Sequence, residues 1–415
     1  MNITDSLYQK TRLTNGIRLV TEQIPYVRSV SVGAWIVVGS RDENTKNNGI
    51  SHYIEHMMFK GTSNQTASEI AQSLESVGGH LNAFTGKELT CYYAHVLDEH
   101  LPRAVEVIAD ILSNSTFDEA EMGKEKRVVI EELNTINETP EELIHDLFWY
   151  DVFPNHALGL SIVGKRQTVS DLSRQGILDY LAENYTADRI VIAAAGNVQH
   201  DEILKLVERA FEKFSSGTLP NYQAPSPRGT GRNIIENGSI QAHVCLGTQA
   251  YPYRDRRKFG LLILNTLLGS GMSSRLFQNI REKHGIAYSI YSYIDFMFDT
   301  GLFGVYVGTD GQNIDVALDL IHKELALLKT TSVSAEELKR TKSQLKGNLM
   351  LSLEGTSSRM NRLAKMEIYL EDHYSFDDTL NEIERITVDE LLGISSELFS
   401  EDRIFTTILK PPNAT

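Results

Sequence analysis

Cysteine is almost missing from this chain: Cys91 and Cys245 are the only two in 415 residues. Two thiols exclude a disulfide framework and any CxxC metal knuckle, and they suit a reducing compartment. Basic residues are also in deficit, 40 Lys and Arg against 55 Asp and Glu, for a formal net charge of −15. That balance argues against unspecific attraction to nucleic acid or to anionic membranes, and it favours solubility. No run approaches the roughly 18 consecutive apolar residues of a membrane-spanning helix. The opening MNITDSLYQKTRLTNG lacks a basic-flanked apolar core with a small-residue cleavage site, so the expectation is a soluble, cytoplasmic protein. What is present, 41% apolar and 23% charged residues, is ordinary globular composition, and the length suffices for about two or three domains.

LTNGIRLVTEQ (13–23) carries two strand-like arms about an Asn-Gly pair, the signal for a tight hairpin, and VRSVSVGAWIVVGS (27–40) reads as a buried strand. SSGTLPNYQAPSPRGTG (215–231) is rich in Pro, Gly and Ser and reads as a linker. It divides the chain into halves of similar length, and the halves resemble each other. FDEAEMGKEKRVVIEEL (117–133) aligns with VSAEELKRTKSQLKGNL (333–349), and RAVEVIADIL (103–112) with DVALDLIHKEL (315–325). SEIAQSLESVGGHLNAFT (68–85) falls on SRLFQNIREKHGIAYS (274–289), in the same order. Three collinear matches predict an internal duplication. The expected fold is α+β, with two homologous domains, each an antiparallel β-sheet covered by α-helices. The expected boundaries are 1–214 for the first domain, 215–231 for the linker and 232–415 for the second.

GISHYIEHMMFKGT (49–62) places His52 and His56 four residues apart in a helical run. Residues four apart share a helix face, so both imidazoles can reach one ion, with Glu55 beside them. A catalytic zinc site takes three protein ligands and leaves one position open, so a further ligand must come from elsewhere, most simply an acidic residue on a second helix. GKEKRVVIEELNTINETPEEL (123–143) offers Glu125 and Glu132, two turns apart on one face. The remaining ten histidines, among them His80, His95, His100, His156 and His284, read as surface or packed residues.

HYIEH with its downstream Glu resembles the inverzincin metallopeptidases, whose HxxEH reverses the zincin HExxH. Within them the chain is similar to the pitrilysin-type enzymes, of the mitochondrial processing peptidase β-subunit kind and its bacterial relatives. The likeness runs through LTNGIRLVTE, GISHYIEHMMFKGT, GGHLNAFTGKELTCYYAHV, EKRVVIEEL, HALGLSIVG and LLGSGMSSRLFQNIREKHGIAYSIYS. It implies a zinc endopeptidase that cuts unfolded oligopeptides in an enclosed chamber, with one Zn2+ per chain held by His52, His56 and Glu132. It further implies Glu55 as the base that activates the attacking water and Glu125 as support behind the site. Asn82 and Ala83 match an edge strand onto which substrate adds, and Arg281 and Tyr288 match a pair brought from the C-terminal domain. Glu142 and Asp146 match positions that hold a substrate arginine, so substrates with basic residues are expected. Chains of this family and length act in pairs, which implies a homodimer or a pairing with a paralogue. In the second half the positions of His52, Glu55, His56 and Glu132 fall on Lys258, Leu261, Leu262 and Asn348, so that half cannot bind zinc. A non-catalytic assembly subunit of the same fold is the alternative, but such subunits lose motif residues, and here all four are present. A phosphate- or nucleotide-binding module using GSGMSS (269–274) is a weak third reading, with no Lys for a P-loop and no GxGxxG after a strand.

Overall fold

The Asn15-Gly16 pair turns the chain back on itself, with Gly16 at φ +108°, and its two arms form the expected antiparallel hairpin. These arms are β1 (Tyr8–Arg12) and β2 (Arg18–Gln23), in a computed structural model that describes residues 7–226 and 228–412. With β3 (Ser29–Ile36), β4 (His80–Thr85), β5 (Thr90–Leu97) and β6 (Ile190–Gly196) they make a six-stranded sheet in the order β1-β2-β6-β3-β5-β4. A five-stranded sheet is built from β7 (Gly231–Glu236), β8 (Ala242–Ala250), β9 (Ala287–Phe296), β10 (Gly301–Thr309) and β11 (Phe405–Lys410). Its order is β7-β11-β8-β10-β9. The architecture is α+β, two sheets covered by helices.

One detail departs from sheets that are antiparallel throughout. β6 runs parallel to β2, and β11 parallel to β7. Each of these strands returns after a long helical excursion and inserts between two earlier strands of its own repeat, parallel to β2 or β7. Because the parallel pair takes the same place in both sheets, β2-β6-β3-β5-β4 corresponds strand for strand to β7-β11-β8-β10-β9, as duplication requires.

The chain divides into two units, but not at the expected boundaries. One unit comprises the residues up to 134, 160–221 and 352–375; the other comprises 135–159, 222–351 and the residues from 376 on. The passage at 221–222 does lie within the expected linker. These units differ from the contiguous halves 1–214 and 232–415, because each takes in one helix from the other half. Composition marks where a chain is loose, whereas unit membership follows from which sheet an apolar helix face meets.

In the first unit the helix Thr356–Leu370 packs on β2, β3 and β6 and buries Met360, Leu363 and Ile368. Each such side chain contributes about 1.5–3 kcal/mol on leaving water. Polar contacts fix the helix further: Ser31 Oγ lies 2.8 Å from Thr356 Oγ1, and Glu367 sits between Lys10 at 2.7 Å and Arg18 at 3.3 Å. The helix Leu101–Asn114 packs on β3 and β5, so β3 is buried along almost its whole length. In the second unit the helix Pro140–Val152 packs on β8 and β11 through Ile144, Phe148 and Val152. Its buried Asp151 accepts hydrogen bonds from Asn233 (2.9 Å) and Thr407 (2.8 Å). Both cysteines are free and buried, and among the described residues no helix is long and apolar enough to cross a membrane.

Candidate metal centre

The helix Ile50–Met58 starts at Gly49, whose φ of +96° is a left-handed conformation, and a Cβ there would lie 2.7 Å from the Val163 carbonyl oxygen. Only glycine fits such a turn without strain. The first turn of this helix has unpaired N–H groups, and a buried carboxylate meets them. Glu43 accepts from the Gly49 N–H (2.7 Å), the Ser51 N–H (2.9 Å) and Asn48 Nδ2 (2.9 Å). Burial pushes the Glu43 carboxyl up, while these donors pull the other way. At the other side of the helix, the Tyr53 hydroxyl donates to the Met122 carbonyl at 2.7 Å, pinning it to the helix Glu119–Glu138.

Glu43→Ala should therefore lower unfolding stability by roughly 3–5 kcal/mol, since it strands three buried donors at once. Chemical denaturation measures this, and a loss below about 1 kcal/mol would show that the cap is dispensable.

Along Glu119–Glu138, Met122, Glu125, Val129 and Glu132 recur at helical spacing and form one stripe. That stripe brings Glu132 to the two histidines: Glu132 Oε1 is 3.6 Å from His52 Nε2, and Oε2 is 3.5 Å from His56 Nε2. One donor atom from each of the three lies within 4.8 Å of the others. Contacts of 3.5–3.6 Å are too long for good hydrogen bonds. They fit ligand-to-ligand edges of a tetrahedron whose metal bonds are about 2.0–2.1 Å, which come to about 3.4 Å. Among the described residues this is the one such group of His, Cys, Asp and Glu.

Protonation suits metal binding as well. Burial, with His56 close by, pulls the His52 imidazole down to about 4, so it is neutral at pH 7. His56 Nδ1 is 2.9 Å from Glu125 Oε1, and Glu125 is held in turn by Lys60 at 2.7 Å. With its proton on Nδ1 donated to Glu125, the ring keeps an Nε2 lone pair aimed at the cluster, the arrangement that orients histidine ligands. Burial lowers the His56 pKa, but the adjoining carboxylates of Glu132 and Glu125 outweigh it and raise the net value. For Glu132 the close approach of the His56 ring outweighs burial and holds the carboxyl below its ordinary range.

Glu55 lies on the same helix with its Oε2 accepting from Thr85 Oγ1 at 2.5 Å. Burial raises its pKa, opposed by the Thr85 bond and by His56. Thr85 ends β4, which carries Asn82 and Ala83, ends its sheet and, among the described residues, pairs only with β5. The first unit thus gathers His52, Glu55, His56, Glu125, Glu132 and the open edge with Asn82 and Ala83.

The other four expected residues belong to the second unit. The Arg281 guanidinium lies over the rings of Phe277 (4.7 Å) and Tyr288 (5.5 Å), so the pair seven apart does meet. Tyr288, on β9, is 77% exposed. Glu142 and Asp146 sit on Pro140–Val152, one of the two exchanged helices, and therefore not in the unit that the expected 1–214 boundary assigned them to. Glu43, Thr85 and Lys60 were not legible in advance. GSRDEN offers Asp42 and Glu43 side by side, and nothing in the string tells which of them turns under the helix.

The position corresponding to Glu55 in the second repeat, Leu261, is fully buried in an apolar core, as a half without a metal site should be. Comparison with known proteins agrees. Residues 18–166 match the insulinase family, peptidase family M16, and residues 171–345 match the domain described as the peptidase M16 inactive domain. A Bacillus subtilis protein named uncharacterized zinc protease YmxG is 42% identical, the alignment covering 94% of this chain and 95% of that one. An uncharacterized zinc protease of Streptomyces coelicolor is 39% identical over 94% of this chain and 87% of its own length. A crystal structure of a protease from Helicobacter pylori shares the fold, with a TM-score of 0.91 at 23% identity over 97% of this chain and 99% of that one. Matched in both repeats and along nearly the whole length of its relatives, the chain belongs to peptidase family M16.

Proposed function

We propose that this protein is a zinc-dependent endopeptidase acting on extended, unfolded peptides. The observation that carries the reading is the convergence of His52, His56 and Glu132 at 3.5–3.6 Å with Glu55 on the same helix. When bound, zinc supplies Lewis acidity, polarising a carbonyl oxygen and acidifying water. Glu55 takes the proton from the attacking water and passes it to the leaving amine, and Thr85 holds the carboxylate in place for both transfers. A substrate backbone adds to the open edge of β4 through main-chain hydrogen bonds, which makes recognition broad in sequence. In the second unit, the family likeness gives Tyr288 and Arg281 the part of hydrogen-bond donors to substrate carbonyls, and Glu142 and Asp146 that of attracting basic side chains. The names of the relatives, zinc proteases, support zinc as the metal and peptides as substrates.

Incubation of the purified chain with a mixture of unstructured peptides, read by mass spectrometry, tests the proposal. Internal cleavage is expected, lost on chelation and recovered on adding zinc. Intact peptides in the zinc-loaded sample would overturn it.

A further inference from the structure

The duplication sets what should cover each sheet. In the first unit the helix His200–Ala210 follows β6 and packs against β2 and Leu101–Asn114, burying Ile203 and Val207. In the second unit β7 stands in the place of β2 and the helix Ile314–Thr330 in that of Leu101–Asn114, but among the described residues no helix follows β11. β7 also ends its sheet, with no strand among the described residues on its outer edge. Between β7, β11 and Ile314–Thr330 there is instead a cavity of about 520 Å3, the size of a small-molecule site.

The lining is apolar where it is buried and cationic where it meets solvent. Leu325, Phe399 and Ile404 form the buried part, Arg232 and Lys329 the open part. Thr406 is also buried, 7% exposed, yet its hydroxyl has no hydrogen-bond partner among the described residues. Buried hydroxyls are normally paired, so this one is free for a ligand. The parallel register sets Arg232 directly opposite Thr406, which places guanidinium and hydroxyl side by side on one face of the sheet. Arg232 is held by Asp315 at 3.3 Å, an exposed pair of little strength, and the Lys329 ammonium has no partner among the described residues. Burial pulls the His322 imidazole below its ordinary value, against Asp319 and Glu401, so at pH 7 it is a neutral hydrogen-bonding group. Glu401 is the one carboxylate in this lining. Two cations against one anion leave a single positive charge, in a chain whose net charge is −15.

We propose that this cavity binds an organic monocarboxylate with an apolar body. The carboxylate is held by Arg232, Lys329 and the Thr406 hydroxyl, and the body lies against Leu325, Phe399 and Ile404. A net charge of one suits a monoanion better than a phosphate dianion, and the buried apolar part gives a bare anion nothing to fill it with. The same head and body are offered by a free carboxylic acid and by the C-terminal residue of a peptide ending in an apolar side chain.

Isothermal titration calorimetry on the full chain tests this with octanoate as the probe. Octanoate is expected to bind once per chain, octanamide at least about tenfold more weakly, and acetate and inorganic phosphate without measurable heat. Lys329→Glu should weaken octanoate at least about tenfold. Ala326→Trp, at an exposed position of the lining, should abolish binding by filling the space. Circular dichroism checks that both variants keep the fold. An acetylated Gly-Gly-Leu tripeptide with a free C-terminus separates the two sources. Tighter binding than octanoate identifies a peptide end and weaker binding a free acid, and each supports the site. Absence of octanoate binding at millimolar concentration would overturn the proposal. So would binding that ignores both Lys329→Glu and Ala326→Trp; if chelation then removed it, the carboxylate would be sitting on the metal centre instead.

Discussion

Glu55→Gln is expected to keep its zinc and lose peptide hydrolysis, with kcat down by about 10²–10⁴-fold. The amide matches the carboxylate in size and keeps a carbonyl oxygen for the Thr85 hydroxyl at 2.5 Å, so the helix and β4 stay as they are. What it loses is basicity. Glu55 sits in a half-buried position where desolvation raises its pKa above that of an ordinary carboxylate, against the opposing Thr85 hydrogen bond and His56, the direction that suits a general base. Because Glu55 is not among the three converging donors, metal content should not follow activity. Metal analysis and peptide cleavage measured on the same preparation separate the two effects. Cleavage at the wild-type rate would remove Glu55 from the mechanism, whatever the zinc content.

Glu132→Ala should abolish both metal retention and activity. Loss of a residue that merely orients a ligand costs about 10–100-fold in metal affinity, and removal of a ligand itself should cost more than the upper end of that range. The fold should survive, because the Glu132 side chain is 40% exposed on its helix, whereas Met122, Glu125 and Val129 carry the packing. Circular dichroism and a thermal melt establish survival, and zinc stoichiometry after gel filtration reads the effect. Unchanged stoichiometry would mean that another group closes the site. Glu125 is a neighbouring carboxylate, 2.9 Å from His56, but it meets Nδ1, the side of the ring turned away from the cluster.

Much of the site was legible because it is written in local periodicity. His52, Glu55 and His56 share a helix face by spacing alone, and Glu125 and Glu132 do so on theirs. The Asn-Gly hairpin and the weak repeat between the halves were equally readable, and the sheets bear out both. Glu43 and Thr85 were not, because each acts across the fold: Glu43 from a loop turned under the metal helix, Thr85 from the end of an edge strand 30 residues beyond Glu55. Neither has a periodicity to announce it.

The units differ from the contiguous halves for a related reason. Pro140–Val152 and Thr356–Leu370 are ordinary amphipathic helices by sequence, and each could have packed on the sheet of its own repeat. Which sheet receives them depends on buried partners contributed from far along the chain, such as Asn233 and Thr407 for Asp151, and Ser31 for Thr356.

By itself the sequence determined the element types, the duplication, the HYIEH helix and the candidate donors His52, His56, Glu125 and Glu132, since these follow from residue chemistry repeated at the period of a helix or a strand. The tertiary structure alone decided that Glu132 reaches the histidines, that Glu43 caps their helix, that two helices change units and that β7 is left with an open edge. Those outcomes depend on which surfaces bury one another. Burial couples residues hundreds of positions apart, and a linear string records no distance between them.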